Sequence, residues 1–466
     1  MKEEIRKRAV AYQNEWMKDL GELIAIDSSF KGESTVTADF PFGEGPAKAL
    51  KAALALSERM GFAVDNVDNY AGTITYGNEE DCIGVVSHLD VVPAGKGWET
   101  DPFELTVKDG VMYGRGVIDD KGPFIASLYA LRILRDMNVP LKKGIRLIVG
   151  TNEESGSLCM EHYRAHRDVP KVGFTPDGEY PLIHGEKGIF HGKAVFPEED
   201  TPILSFSGGE VYNAVISECV AVLDGKIADA EALKSSIKDE DTCGYGSEVT
   251  LLEDGNIQLV VKGLAAHGST PYLGVNAAVS AAKILCGFLG EKAGKMMAFI
   301  ANDLGRETDG ASLGMAMNDE TNCPLTLNLG MCGYDGKRNW LGLDMRFPVT
   351  FRSEDFTEKL NAMLDKYGLT IEDMAVTDPL YVPLENPLIG KLMQVYRDVT
   401  GDTENGPKII GGGTYAKELP GDYVAFGVEK VGREGYNMHT IAENFSIDEM
   451  IEQTVICAMA MIVLAE

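Results

Sequence analysis

Positive charge is what this chain is short of. Against 72 Asp and Glu it carries 43 Lys and Arg, a formal net charge of −29 over 466 residues. Nucleic acids and anionic membrane surfaces both select for clustered Lys and Arg, so neither is expected as a partner. Long hydrophobic runs are missing too. The longest, at 455–465, is too short to span a bilayer, and the opening MKEEIRKRAV holds no apolar segment of signal-peptide length. Secretion and membrane insertion are therefore not expected, and a cytoplasmic location is. Cysteine is sparse: Cys82, Cys159, Cys219, Cys243, Cys286, Cys323, Cys332 and Cys457 show no CxxC pairing and mostly sit in apolar stretches. They read as reduced core residues of a cytoplasmic protein. Internal repeats, low-complexity tracts and Pro- or Ser-rich linkers are absent. A single hydrophobic core rarely supports this length, so two domains, or one domain with a large insertion, are expected.

What is present begins with continuous, β-branched apolar runs at 83–86 and 145–149, each followed by polar residues. Such runs read as buried parallel strands. Strand-like segments at 83–87, 145–150 and 172–174 alternate with helical patterns, notably Phe124, Leu128, Leu131 and Leu134 after Pro123. That alternation predicts a mostly parallel sheet covered by helices. Upstream, 3–26 has helical spacing and predicts one amphipathic helix. The character changes after about residue 186, where alternating strands such as GNIQLVVKG and NWLGLDMRFPV flank one helical stretch at 276–288. Sheet-like runs return at 408–410 and 423–428, and Ser446 with Glu449 has capping-box spacing before a last helix. The expected architecture is an α/β domain split in sequence, 1–186 and 380–466, with an α+β domain inserted at 187–379.

Three acidic signatures, HLD at 88–90, DDKG at 119–122 and NEES at 152–155, stand out, two of them directly after these apolar runs. In open α/β sheets the ligand crevice lies at the carboxyl ends of the strands. A His, three Asp and two Glu delivered there would repel one another, and a cation is the simplest remedy. In an extended segment His88 and Asp90 point to one side, so the Asp90 carboxylate is placed to accept the second ring N–H of a ligating His88. Asp119 and Asp120, between a Gly-rich turn and a helix start, are either ligands or helix N-terminal charges. Glu153 and Glu154 project differently, so one can bind metal while the other holds a water. Asp177 is either a turn residue or another ligand, and His439 follows a Gly-rich loop. Jointly, one His, a bridging carboxylate and a further carboxylate for one metal, then the same bridge with Glu154 and His439 for a second, make a balanced N/O site. That donor set suits zinc, with manganese or cobalt next. His162 and His166 are four apart behind Glu161, but EHYRAH lacks the HExxH order and reads as a solvated helix face.

The strings VVSHLDVVPAG, GRGVIDDKGP, GTNEESGS, TPDGEYP and NMHTIAEN resemble, in order, the signatures of the co-catalytic zinc metallopeptidase family that includes aminoacylase, carnosinase, peptidase T and PepV-type dipeptidases. The resemblance covers essentially the whole chain and is closest to the PepV type. It implies that His88, Asp119 and Asp177 bind one zinc, that Asp119, Glu154 and His439 bind the other, and that Glu153 is the general base, with Asp120 only a neighbour. Within the insertion, VKGLAAHGSTPYLGVNA matches the family's lid or dimerisation segment, so His267 would stabilise the substrate oxyanion. Asn213 in GGEVYNAV and Arg346 in LDMRFP resemble lid residues that hold substrate. GGGTYAK, with Gly412, Gly413 and Thr414, resembles the loop for the substrate's terminal carboxylate; read alone it is a generic Gly-rich pattern without P-loop spacing. An Asp at position 177 resembles the aminopeptidase and dipeptidase branch, where deacylases usually carry Glu. The resemblance therefore implies a dipeptidase that cleaves unblocked dipeptides, β-Ala-Xaa among them, through a dimetal-bridged hydroxide. The alternatives are an N-acyl amino acid deacylase and a non-catalytic metal-dependent amino-acid or peptide binding protein. Monomer and homodimer are both compatible with the long insertion.

Overall fold

Every residue of the strand Cys82–His88 is buried. A strand covered on both faces has no use for polar alternation, which is why 83–86 is an unbroken apolar run. In the computed structural model, which describes residues 1–466, this strand pairs in parallel with Gly144–Gly150 on one side and Val172–Thr175 on the other. Val172–Thr175 in turn pairs in parallel with Asp422–Ala425, so residues far apart in sequence share one sheet. Antiparallel strands extend it: Ala71–Tyr76 and then Ala63–Val67 beyond Gly144–Gly150, and Ile183–Glu186 beside Asp422–Ala425. Gly84 is required by a close approach, since a Cβ there would lie 2.3 Å from the Tyr423 hydroxyl oxygen. Helices Lys121–Asp136 and Ile447–Ala465 pack on each other and on Cys82–His88, and Glu44–Arg59 covers the antiparallel edge. The last helix starts with both halves of its capping box, Glu449 N–H to Ser446 Oγ at 3.2 Å and Ser446 N–H to Glu449 Oε2 at 3.1 Å.

The chain divides into two compact units, Met1–Gly185 with Val382–Glu466, and Glu186–Tyr381. The second unit is an eight-stranded antiparallel sheet in the order Ser247–Leu251, Ile257–Lys262, Glu218–Leu223, Ile203–Gly208, Thr326–Tyr334, Asn339–Phe347, Gly188–Phe196, Thr370–Thr377. Gly188–Phe196 alternates buried and half-buried residues, the pattern of a strand with one face on a core. Helix Ala277–Leu289 covers Glu218–Leu223 and Ile257–Lys262, and its Asn276 cap accepts from Ala278 N–H at 3.0 Å.

Three local expectations are corrected. The single helix expected over 3–26 is two, Lys2–Ala11 and Gln13–Ile24, broken at Tyr12. The Tyr12 hydroxyl donates to Asp136 at 2.8 Å and the Trp16 indole N–H takes the Ala9 carbonyl at 3.1 Å, contacts that compensate the break. The strand expected over 423–428 stops at Ala425, after which Phe426 and Val428 donate to the carbonyls of Thr175 and Gly178. All eight cysteines are free, but Cys243 is exposed rather than in the core. It caps the short helix Asp239–Thr242 in left-handed conformation, φ 53°. No helix is long and apolar enough to cross a membrane.

Candidate metal centre

His88 ends the strand Cys82–His88, and Glu153, Glu154 and Asp177 come just after the ends of its two parallel neighbours. Adjacent parallel strands deliver the residues beyond their carboxyl ends to one place. Asp119, just before helix Lys121–Asp136, and His439, just before strand Asn444–Ser446, reach the same place from elsewhere in the chain. Asp119 stands at the middle, with Oδ1 2.9 Å from His88 Nε2 and Oδ2 2.9 Å from His439 Nε2. Asp177 Oδ2 is 3.5 Å from His88 Nε2 and Glu154 Oε2 is 3.3 Å from His439 Nε2. One ligand atom each of His88, Asp119 and Glu154 falls within a 4.8 Å cluster. The peptide bond Asp119–Asp120 is cis.

The charges in this cluster are ill-matched without a cation. Burial would raise the Asp119 carboxyl, but hydrogen bonds from His439 and His88 overcome it and hold the group far below the usual carboxylate range. Burial and the Asp119 carboxylate push Glu154 up to about 7. Glu153 goes well above its ordinary value through burial and the carboxylates of Asp177 and Glu154. Hydrogen bonds to Asp119 and Glu154 push His439 up to about 11, and His88, despite its burial, is raised by Asp119, Asp177 and Asp90. Protons are thus retained where cations would relieve the repulsion. Glu154 Oε1 is buried with no hydrogen-bond partner, an acceptor that a metal would satisfy. Two imidazoles with three carboxylates fit zinc, manganese or cobalt.

Surrounding contacts fix the ligands. His88 Nδ1 lies 2.9 Å from the backbone carbonyl oxygen of Asp90. Since a carbonyl can only accept, Nδ1 carries a proton, and the proton that Nε2 shares with Asp119 in the metal-free fold is the one a metal would displace. The expectation that the Asp90 carboxylate takes this proton is corrected: its Oδ1 stands at 3.6 Å. The carboxylate is instead engaged by the backbone N–H groups of Glu153 and Glu154, each at 3.0 Å, and so orients the loop carrying them. Sequence reasoning assigned nothing to Glu443, yet its fully buried carboxylate accepts from Arg115 Nη1 at 2.6 Å and from the N–H groups of Gly116, Ile118 and Asp119. With Arg115 Nη2 also donating to the Thr440 carbonyl at 3.0 Å, this pair ties the Asp119 turn to the His439 loop. The available signal was an Arg and a Glu inside two of the family-like strings, GRG and AEN. Asp120, besides neighbouring the bridge, accepts from His88 N–H at 3.0 Å.

Gly412 is half-buried, Gly413 exposed and Thr414 buried. Thr414 Oγ1 accepts from Ala416 N–H at 3.2 Å. The next residue, Tyr415, packs edge-on to His88 with centroids 6.0 Å apart and its hydroxyl 2.8 Å from Cys159 Sγ. The Gly-rich loop therefore leads to His88 of the candidate metal cluster, and Tyr415 is a second residue that sequence reasoning missed. In the other unit, Asn213 and His267 are neighbours: Gly268 N–H donates to the Asn213 carbonyl at 2.7 Å, and Ala214 bridges His267. His267 is exposed, its Nδ1 2.7 Å from Ser269 Oγ. Arg346 Nε and Nη2 clasp the buried Asp344 at 2.6 and 2.9 Å. Asp344 Oδ2 would be 2.5 Å from a Cβ on Gly268, so Asn213, His267 and Arg346 gather within that unit.

Imidazoles and carboxylates at the carboxyl ends of a parallel sheet, short of balancing positive charge, define a metallohydrolase. The chain belongs to peptidase family M20/M25/M40, whose sequence model matches residues 84–462, and is a metallopeptidase. It is 36% identical over 462 residues, 97% of each chain, to "Putative dipeptidase YtjP" of Bacillus subtilis (strain 168). Its fold is similar to that of human carnosine dipeptidase 1, with a TM-score of 0.54, 17% identity and 100% of both chains covered. It is also similar to that of the di-peptidase Dug1p of Saccharomyces cerevisiae, with a TM-score of 0.59, 14% identity, and 100% of this chain and 98% of the other covered.

Proposed function

We propose that this protein is a cytoplasmic dipeptidase that hydrolyses unblocked dipeptides, β-Ala-Xaa included. The reading is carried by Asp119, whose two oxygens each stand 2.9 Å from a different imidazole, the arrangement of a carboxylate shared by two cations. His88, Asp119 and Asp177 would hold one cation, and Asp119, Glu154 and His439 the other, with zinc preferred and manganese or cobalt next. Bound there, the cations supply Lewis acidity, which acidifies a water and polarises a carbonyl. Glu153, whose carboxyl is raised by burial and neighbouring carboxylates, takes the proton from the attacking water and returns it to the leaving amine. Asp90 acts on Glu153 and Glu154 through their backbone N–H groups. Sequence resemblance gives His267 the substrate oxyanion, Asn213 and Arg346 the hold on substrate, and Gly412, Gly413 and Thr414 the terminal carboxylate.

A site built for two charged termini rejects an analogue lacking one, because its own polar groups are left unpaired, by up to about 10⁴. With one metal condition throughout, kcat/KM should be high for Ala-Ala and low for both N-acetyl-Ala-Ala and Ala-Ala-Ala-Ala. Comparable values for the blocked substrate would move the enzyme to deacylation. Efficient cleavage of the tetrapeptide would contradict a site closed at both substrate ends.

A further inference from the structure

We propose that Asp68, His162 and His166 form an additional divalent transition-metal site on the surface of the first unit, separate from the centre described above. Their ligand atoms lie within 4.8 Å of one another. His162 Nε2 is already 3.0 Å from Asp68 Oδ2. Tetrahedral zinc with bonds of about 2.0 to 2.1 Å sets its donors roughly 3.3 Å apart, so small side-chain adjustments complete the triad. Four-residue spacing puts both imidazoles on one face of helix Leu158–His166, with centroids 4.1 Å apart and planes 26° from parallel.

The rings are held for this purpose from three sides. His166 Nδ1 lies 2.8 Å from the His162 carbonyl oxygen, which can only accept, so His166 Nδ1 is protonated and Nε2 offers its lone pair outward. Tyr70 stacks on His162 at 3.9 Å and 12°, fixing that ring's plane. Asp68 comes from the turn between Ala63–Val67 and Ala71–Tyr76, where left-handed backbone at Asp68 and Asn69, φ 53° and 60°, turns the chain. A nearby cation, Arg167, is engaged with Asp65 at 2.7 Å. A donor set of two imidazoles and one carboxylate selects zinc, copper(II) or nickel(II) over magnesium or calcium. The third ligand lies 94 residues from the first histidine, which is why EHYRAH alone reads as a solvated face. An ion here pins the end of helix Leu158–His166 to the hairpin turn. That same turn accepts the Thr151 hydroxyl at the Tyr70 carbonyl, 2.6 Å, two residues before Glu153.

The test is calorimetric titration of Zn²⁺ into protein already loaded at its buried centre, for wild type, His162→Ala and Asp68→Asn. Asp68 and His166 are exposed and His162 is half-buried, so an unchanged Tm for each variant serves as the control for folding. One further equivalent in wild type that is lost in His162→Ala and weakened in Asp68→Asn supports the site. Absence of that equivalent in wild type, or its persistence unchanged in His162→Ala, overturns it.

Discussion

Asp344 in the second unit and Asp119 in the first are both buried carboxylates faced by nitrogen bases, but their surroundings differ. Asp344 has a guanidinium of its own, Arg346, with two hydrogen bonds of 2.6 and 2.9 Å. Asp119 shares two imidazoles with Asp177 and Glu154, and Glu153 adds one more raised carboxyl. Neighbouring folds explain part of this contrast. The antiparallel sheet of the second unit has one face on a core, and its side chains can be matched locally. The buried parallel strands of the first unit end together and concentrate acids at one spot. A carboxylate matched within the chain needs nothing from outside; a cluster short of positive charge binds protons or cations.

Asp119→Ala should break the comparison most severely. Losing the shared ligand affects both cations, so metal content after dialysis should fall well below that of wild type and Ala-Ala turnover should disappear; retained metal would remove the bridging role. Glu153→Ala should keep the metals while kcat falls by about 10² to 10⁴, the usual cost of losing a general base. A near-normal kcat would reassign that residue. In the second unit, His267→Ala should lower kcat by about 10² to 10³ with metal content unchanged. Normal kinetics with a lowered Tm would make it a purely structural residue. Arg346→Ala should leave the buried Asp344 with only His191 Nε2, 3.5 Å from its Oδ1, costing at most about 3 to 5 kcal/mol in denaturant unfolding, and should raise KM without changing metal content. An unchanged KM would take Arg346 off the substrate.

The smallest effect is on pH dependence. His439 rises from 6.5 to about 11 and Glu154 from 4.5 to about 7 in the metal-free fold. A folded-state pKa above the unfolded one gives stability that is present below the unfolded value and lost as pH rises through the folded one. The Tm of chelated protein should therefore fall from pH 6.5 to 9, while zinc affinity rises over the same range as protons leave the ligands. A zinc affinity independent of pH would show that the ligands bind no protons in the metal-free state.

Much of this was legible in the sequence because buried parallel strands leave continuous apolar runs and the candidate ligands sit just beyond them. His88, Glu153, Glu154 and Asp177 could be located that way, and the helix from Ile447 announced itself through Ser446 and Glu449. Motif strings named Asp119 and His439, and the structure places both beside His88 and Glu154. What stayed hidden depends on long-range pairing. Glu443 reaches Arg115 across 328 positions, and the choice of His88 Nδ1 between the carbonyl and the carboxylate of Asp90 is decided by backbone geometry that spacing does not encode. The break at Tyr12 is likewise compensated by partners outside its own helical pattern, Asp136 among them.

The central claim, that the buried acids of the first unit work only with cations among them, is tested most directly by Ala-Ala turnover of chelator-treated protein before and after zinc is restored. The expected result is no turnover without metal and full recovery with it. Turnover that survives complete removal of metal would contradict the account.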